Sequence, residues 1–363
     1  MIAMHVSNPS FPAASNEHGD SVSSDTGIRP IAGSIASPAL PIEIVAGIWW
    51  IQLPLGGSLQ HVNVYLLDDG DRWTLIDTGT DTDECRAAID RVLSNPAFSA
   101  KPLARVLVTH HHPDHIGLAG WLSRKGCQIM ASETCWKSAQ RLLSDPPYPG
   151  KAQLEMQRAA GLPPLELEAF ARRPRHQFAK LVSPLPSQLA TIEDNSTLLI
   201  GQRAWKVIFG GGHATDHVTL WSDDQIAIVG DQILNGISPN LCVHACESGL
   251  DPLGDWIDSC HRFGRIAQPE TKCLPGHNVP FLGISKRCEQ MLANQNAVLE
   301  RLIQTLIRPQ TAIECLPTVF RRPIEPSQRP ALLTQTMGYL NHLKHQRRVR
   351  SEIVAEAILW SRF

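Results

Sequence analysis

The chain has 363 residues, too long for one ordinary domain and comfortable for two. Its 43 % hydrophobic and 19 % charged residues are the balance of a globular protein with a large core. Lys plus Arg total 33 against 35 Asp plus Glu, a net charge of −2 that weighs against gripping nucleic acid as the main task, and no run approaches the roughly 20 apolar residues that span a bilayer.

Residues 1–41 are rich in Ser, Ala, Pro and Gly and carry Glu17, Asp20 and Asp25. With no basic start and no apolar stretch they do not read as a signal peptide, so a disordered or loosely attached leader and a cytoplasmic location are expected. Folded structure is expected from Ile42. Residues 44–53 and 62–67 read as strands, and Asp68-Asp69-Gly70-Asp71 reads as a turn into a strand at 73–76, making a hairpin. Residues 82–94 have helical spacing, with Cys85, Ala88, Ile89, Val92 and Leu93 on one face. The apolar strand 106–108 runs straight into a histidine cluster. A helix over 118–125, closed by Gly126, and a strand over 128–131 follow. This alternation is an α/β signature.

The pattern then breaks into a Pro-rich helical insertion at about 134–181. Strands return at 197–200, 205–209, 218–221 and 226–229. A helix over 252–266, with Asp251 as its N-cap, precedes a last strand at 272–274. From 285 onward the spacing is helical, with further helices expected at 311–314, 329–344 and 351–359. The expected domains are therefore a catalytic part, 42–283, and a C-terminal helical part, 284–363. The nine cysteines show no C-x-x-C pair and read as reduced, buried small hydrophobes; a metal clip from Cys242 and Cys246 is the weaker reading.

The strongest chemical signal is Thr109-His110-His111-His112-Pro113-Asp114-His115. A strand end holds backbone rigidly while the loop after it aims side chains at a common centre. Imidazole and carboxylate suit Zn²⁺ and other borderline divalent metals. A surface histidine run would not lie between Arg-Val-Leu-Val and Ile-Gly-Leu-Ala-Gly. Three more candidates stand at strand ends: His213 after Gly210-Gly211-Gly212, Asp231 in Val229-Gly230-Asp231, and His277 after Leu274-Pro275-Gly276. Each alone is weak; their joint appearance in order is not. Asp77, in Leu75-Ile76-Asp77-Thr78-Gly79, ends another strand and reads equally well as a turn former. No G-x-S-x-G elbow, P-loop or G-x-G-x-x-G supports a competing chemistry.

Over residues 42–283 the chain resembles the metallo-β-lactamase fold superfamily, the group that includes glyoxalase II. The T-H-x-H-x-D-H motif matches at 109–115, the upstream aspartate motif at 75–79, and the glycine-led motifs at Gly212-His213, Gly230-Asp231 and Gly276-His277. Where the family often has Gly before a second His, this chain has Ala214-Thr215-Asp216-His217, a departure that touches substrate contacts rather than metal binding.

The resemblance implies a four-layer αββα sandwich and two divalent metal ions, zinc with iron or manganese as alternatives. His110, His112 and His213 would hold the first ion; Asp114, His115 and His277 the second; Asp231 would bridge them. Asp77 would orient a ligand imidazole by hydrogen bond. Asp114 would act in catalysis as well, orienting the attacking water. His111 would point away, and His217 would either support a ligand from behind or pack, with packing the favoured reading.

The implied enzyme is a binuclear hydrolase whose metal-bridging hydroxide cleaves an ester, a thioester of acyl-CoA or glutathione type, or a lactone. Its partner would be a small-molecule acyl substrate, with no membrane. Trp136, Tyr148, Met156 and Phe170 either line an apolar pocket for it or pack the insertion. The C-terminal part resembles the winged-helix-like extension of a two-domain subgroup, some of whose members are endoribonucleases. Eight basic side chains (Arg308, Arg321, Arg322, Arg329, Lys344, Arg347, Arg348, Arg350) against Glu314 and Glu325 keep a metal-dependent endoribonuclease or phosphodiesterase acting on RNA as the alternative. No aromatic platform is interleaved, which weakens it. An iron oxidoreductase and a non-catalytic binding protein are the remaining readings.

Overall fold

A computed structural model describes residues 27–31, 40–56, 59–174, 178–245 and 249–363. They fall into two compact units. The first takes the described residues of Met1–Asp145, Gln177–Pro239 and Arg262–Arg287; the second takes those of Pro146–His176, Asn240–His261 and Cys288–Phe363.

The first unit is built on two seven-stranded sheets. One runs in chain order through β2 (Ile42–Val45), β3 (Ile48–Pro54), β4 (His61–Asp68), β5 (Trp73–Ile76), β6 (Leu103–Leu107), β7 (Gln128–Ala131) and β8 (Ala190–Thr191). Hairpins make β2 to β5 antiparallel, whereas β5 to β8 are parallel, as crossovers through helices require. The other sheet is ordered β1 (Arg29–Pro30), β14 (Phe281–Leu282), β13 (Lys272–Pro275), β12 (Ile226–Gly230), β11 (His217–Ser222), β10 (Arg203–Gly210) and β9 (Thr197–Ile200).

Successive residues of β3 and β4 point to opposite faces, and both faces are covered. Ile48, Trp50, Tyr65 and Leu67 meet Trp205, Val207, Val218 and Leu220 between the sheets. Ile51, Leu53, Val64 and Leu66 pack outward against α1 (Asp83–Ser94), α3 (Ala119–Arg124) and α4 (Glu133–Leu143). Burial on both faces explains why these strands read as continuous apolar runs rather than alternating ones. On the outer face of the second sheet, Phe263 of α7 (Pro252–Ile266) stacks on Trp221 at 5.6 Å. The layers are thus α, β, β, α. Trp205 is fully buried, and Trp205→Ala would cost about 3–5 kcal/mol.

Local chemistry sets the helix starts. The Thr82 side chain accepts from the Cys85 amide and Ser132 from Cys135, each N-cap satisfying a donor with no partner inside its helix. The short α2 (Pro113–Ile116) begins with Pro113 at its first position, where a missing N–H costs nothing.

The second unit contains α5 (Lys151–Ala159), α6 (Pro164–Arg172), α9 (Ala312–Phe320) and α10 (Arg329–His345), with parts of α7 and α8 (Ile284–Thr305), which run through both units. Thr311 and Glu314 form a capping box at the start of α9. Asp251 caps α7 by accepting from the Gly254 amide at 2.9 Å.

Three expectations are corrected. The helix expected at 351–359 is a β-hairpin, β15 (Val349–Val354) and β16 (Ala357–Arg362), turned by Ala355 and Glu356 at φ 48° and 70°. Trp360, buried and paired with Gln310, fixes it, whereas Glu352, Ile353 and Val354 are exposed and carry no strand alternation. The strand expected at 44–53 is two strands, β2 and β3, joined at Gly47 with φ 77°. Within the expected leader, Arg29–Pro30 pair with β14; both side chains are exposed, so no hydrophobic pattern marked them. Cys246, half of the weighed metal clip, lies outside the described residues.

Candidate metal centre

All the motif residues sit at one end of the two sheets, each just beyond or at the edge of a strand. Asp77 follows β5, His110 to His115 follow β6, His213 follows β10, Asp231 follows β12 and His277 follows β13. Glycine lets these segments approach. At Gly276 a Cβ would lie 2.2 Å from Asp231 Oδ1, and at Gly230, φ 47°, it would lie 2.5 Å from the His217 ring. Asp77 itself is a non-glycine residue at φ 60°, a strained conformation of the kind found at functional sites.

The donors form two groups. His110, His112, His213 and Asp231 offer ligand atoms within 4.8 Å of one another, and so do Asp114, His115 and His277. Within the first, His110 Nε2 lies 2.9 Å from His112 Nδ1 and 3.3 Å from His213 Nε2. Within the second, Asp114 Oδ2 lies 3.2 Å from His277 Nε2 and 3.5 Å from His115 Nε2. Asp231 reaches both: its Oδ2 is 3.4 Å from His213 Nε2 and 3.4 Å from His277 Nε2, and its Oδ1 is 3.5 Å from His115 Nε2. His111 belongs to neither group.

Hydrogen bonds behind the donors decide which nitrogen each presents. His115 Nδ1 donates to Asp77 Oδ2 at 2.8 Å, and His277 Nδ1 donates to the His61 carbonyl at 2.9 Å. Asp77 also accepts from the Thr109 amide at 2.7 Å and the Thr109 hydroxyl at 2.9 Å. With its proton given to Asp77, Thr109 Oγ1 accepts from His110 Nδ1 at 3.0 Å. Three imidazoles are thus left with Nε2 facing the centre. The loop carrying His213 is anchored by Asp216, whose carbonyl accepts from Ser132 and whose carboxylate accepts from Thr134 at the start of α4.

Electrostatics shows what is missing. Burial, helped by His115 and other neighbouring imidazoles, holds His110 well below its ordinary range; burial and His213 do the same to His112. Burial also opposes charge on His277 and His115, yet Asp231 and Asp114 override it, pushing His277 up to about 10 and His115 well above its usual value. Burial likewise opposes ionisation of Asp231 and Asp114, and the adjacent His115 and His277 hold both carboxyls low. The carboxylates thus favour positive charge at His115 and His277, while His110 and His112 stay neutral. His115 Nε2 and Asp231 Oδ1 are also fully buried with no hydrogen-bond partner, a state that costs about 1–3 kcal/mol each. Imidazole and carboxylate orphans facing each other fit a divalent ion coordinated by N and O ligands.

His217 does more than pack. Its ring stacks on His110 at 4.6 Å, and its Nε2 accepts from the Asp231 amide at 3.2 Å. Burial, then His213, lowers its pKa to about 3, which keeps that nitrogen an acceptor. Nothing in the sequence distinguishes this from a core histidine. Of the four apolar candidates for a substrate wall, Trp136 sits in the core cluster behind the first sheet, Met156 is buried in the second unit, Phe170 is partly buried there, and Tyr148 is half exposed.

The profile of the metallo-beta-lactamase superfamily matches residues 57–127. Over 308 residues the chain is 25 % identical to the Probable metallo-hydrolase YqjP of Bacillus subtilis (strain 168), covering 83 % of this chain and 93 % of that one. The crystal structure of a beta-lactamase domain protein from Burkholderia ambifaria superposes with a TM-score of 0.84 at 27 % identity, covering 92 % of this chain and 98 % of that one. A metallo-beta-lactamase family protein from Thermus thermophilus has the same fold, with a TM-score of 0.74 at 24 % identity over 88 % of this chain and 100 % of that one.

Proposed function

The chain belongs to the metallo-beta-lactamase superfamily, and from that premise we propose that it binds two divalent ions, zinc by donor preference, and hydrolyses a small-molecule ester, thioester or lactone. It is a metal-dependent hydrolase with a His/Asp metal site. The observation that carries the binuclear reading is Asp231, one carboxylate within 3.4–3.5 Å of imidazoles from both donor groups.

When bound, such ions supply Lewis acidity, bringing the pKa of a water from roughly 15.7 to about 7 and polarising the scissile carbonyl. The chain's own residues set the stage for that. His110 and His112, held neutral by burial, come from the segment after β6, and His213 joins them from the segment after β10. Asp77 and the His61 carbonyl fix the tautomers of His115 and His277. Asp114 has the more exposed of the two carboxylates, 18 % against 7 % for Asp231, and is the one placed to accept a hydrogen bond from the attacking water and orient it. The donor set holds no Ser, Thr or Cys, and water is the attacking species in this proposal.

The acyl reading is favoured over RNA by the fate of the basic segment. Within the second unit Arg329 pairs with Glu166 and Arg348 with Glu300, acids that lie outside that segment. Those cations are partly neutralised rather than held for phosphates. No helix among the described residues is long and apolar enough to cross a membrane.

The test is metal quantification on purified protein together with a panel of acyl-CoA thioesters, esters, lactones and RNA, repeated on Asp114→Ala and His277→Ala. Two equivalents of metal and acyl turnover, lost in both variants while the protein stays folded, is the expected outcome. Cleavage of RNA alone, or wild-type rates in both variants, overturns the reading.

A further inference from the structure

His277 is the one member of the second donor group that comes from the second sheet; Asp114 and His115 come from α2, which follows β6 of the first. Something must hold the segment after β13 at the right height above the first sheet, and the bonds that do so converge on strand β4. The Asn63 amide N–H donates to the Gly276 carbonyl at 2.7 Å. The Asn63 side-chain Nδ2 donates twice, to the Pro275 carbonyl at 2.9 Å and the Asn278 carbonyl at 2.7 Å. The Tyr65 hydroxyl donates to the Pro275 carbonyl at 2.7 Å, and His61 accepts from His277 itself. Three alternate residues of one strand thus grip four consecutive residues, Pro275 to Asn278.

The grip needs an amide at position 63. Asn63 is 1 % exposed, so each of its polar atoms must be satisfied inside the protein. Its Oδ1 accepts from Trp50 Nε1 at 2.8 Å, which orients the side chain and leaves both N–H bonds of Nδ2 for the two carbonyls. A carboxylate would bring acceptor oxygens against those carbonyls, and an apolar residue would take the Asn63 bond from the Asn278 carbonyl and the Trp50 indole and leave the Pro275 carbonyl with its bond from Tyr65. Asn278 sits at φ 61°, left-handed and strained for a non-glycine residue, and the Asn63 bond to its carbonyl is one of those that hold it there.

We propose that Asn63 is the positioning residue for His277: it sets the distance between the two halves of the second donor group while leaving the first group untouched. This rests on the binuclear reading above. The positioning role separates from a merely structural one because only the former moves one binding constant and not the other.

The experiment measures stepwise Zn²⁺ or Co²⁺ dissociation constants by competition with a chromophoric chelator, alongside thermal melting of the metal-free protein, for wild type, Asn63→Ala and Tyr65→Phe. In Asn63→Ala the ion held by Asp114, His115 and His277 should bind about 10–100-fold less tightly, the range seen when a group supporting a ligand is lost, with the other constant within about threefold of wild type. Tyr65→Phe removes one bond of the same grip from a side chain that keeps its ring, and should shift the same constant by a few-fold. Should Asn63→Ala fail to fold, Tyr65→Phe alone decides. Equal weakening of both constants, or no change in either variant, overturns the proposal. A wild-type protein that binds fewer than two ions sinks the binuclear reading, and this proposal with it, before any variant is made.

Discussion

The two ends of the paired sheets in the first unit each carry a buried carboxylate, and they have opposite characters. Asp69, at the turn between β4 and β5, is saturated. Its Oδ1 accepts from the Gly201 amide at 2.7 Å; its Oδ2 accepts from Thr74 at 2.9 Å and from Arg105. It ties a turn of the first sheet to the β9–β10 turn of the second. Asp231, at the other end, has one oxygen without any hydrogen-bond partner and another facing two imidazoles. The sequence shows both simply as Asp beside Gly or another Asp at a strand terminus. A carboxylate whose oxygens are all spoken for is holding the fold; one left short in a nest of nitrogens is waiting for a cation.

Exchange of either residue should expose that difference. Asp231→Ala should cut turnover on the order of a thousandfold and lower metal content, read by metal quantification. A variant that keeps its metal and its rate would erase the contrast. Asp69→Ala should leave metal stoichiometry untouched and destabilise the protein by about 1–3 kcal/mol in chemical denaturation, because the Gly201 amide, Thr74 and the half-buried Arg105 lose their acceptor. A loss of metal there instead would mean that the two ends are coupled.

Asp77 sharpens the comparison from within the metal end. It holds Thr109 and His115 together, so Asp77→Asn should weaken metal binding about 10–100-fold, read by chelator competition. An unchanged affinity would demote it to the turn former that its Thr-Gly setting also suggests.

The smallest effect concerns protons. In the metal-free protein His277 titrates near 10, raised by Asp231 and Asp114 against burial, and His115 is raised by the same carboxylates. Their folded-state protonation stabilises the metal-free protein fully below about 6.5, and that contribution is lost as pH rises through about 10. Metal must displace these protons, so uptake at pH 7 should release about two protons and affinity should climb between pH 6 and 9. Calorimetry in two buffers of different ionisation enthalpy measures this; heats independent of the buffer would contradict it.

The α/β alternation and the donor residues were legible because both rest on short-range signals, while the four-layer arrangement was implied only by the family resemblance. Apolar runs marked the strands, and glycine-led His or Asp marked their ends. What stayed hidden depends on pairing across long sequence distances. Arg29–Pro30 pair with residues some 250 positions away through backbone groups alone, and their side chains face solvent. The hairpin at 349–362 shows exposed residues on both faces of β15, so no period of two marks that strand. His217 and Asn63 act through bonds to the Asp231 amide and to the Pro275 and Asn278 carbonyls, which only the folded chain brings near.

The most direct measurement is anomalous diffraction above and below the zinc edge on crystals of zinc-loaded protein. Two anomalous peaks are expected, one enclosed by His110, His112 and His213, the other by Asp114, His115 and His277, with Asp231 touching both. Density with no peak among these side chains, or one peak only at full zinc saturation, would contradict the binuclear centre.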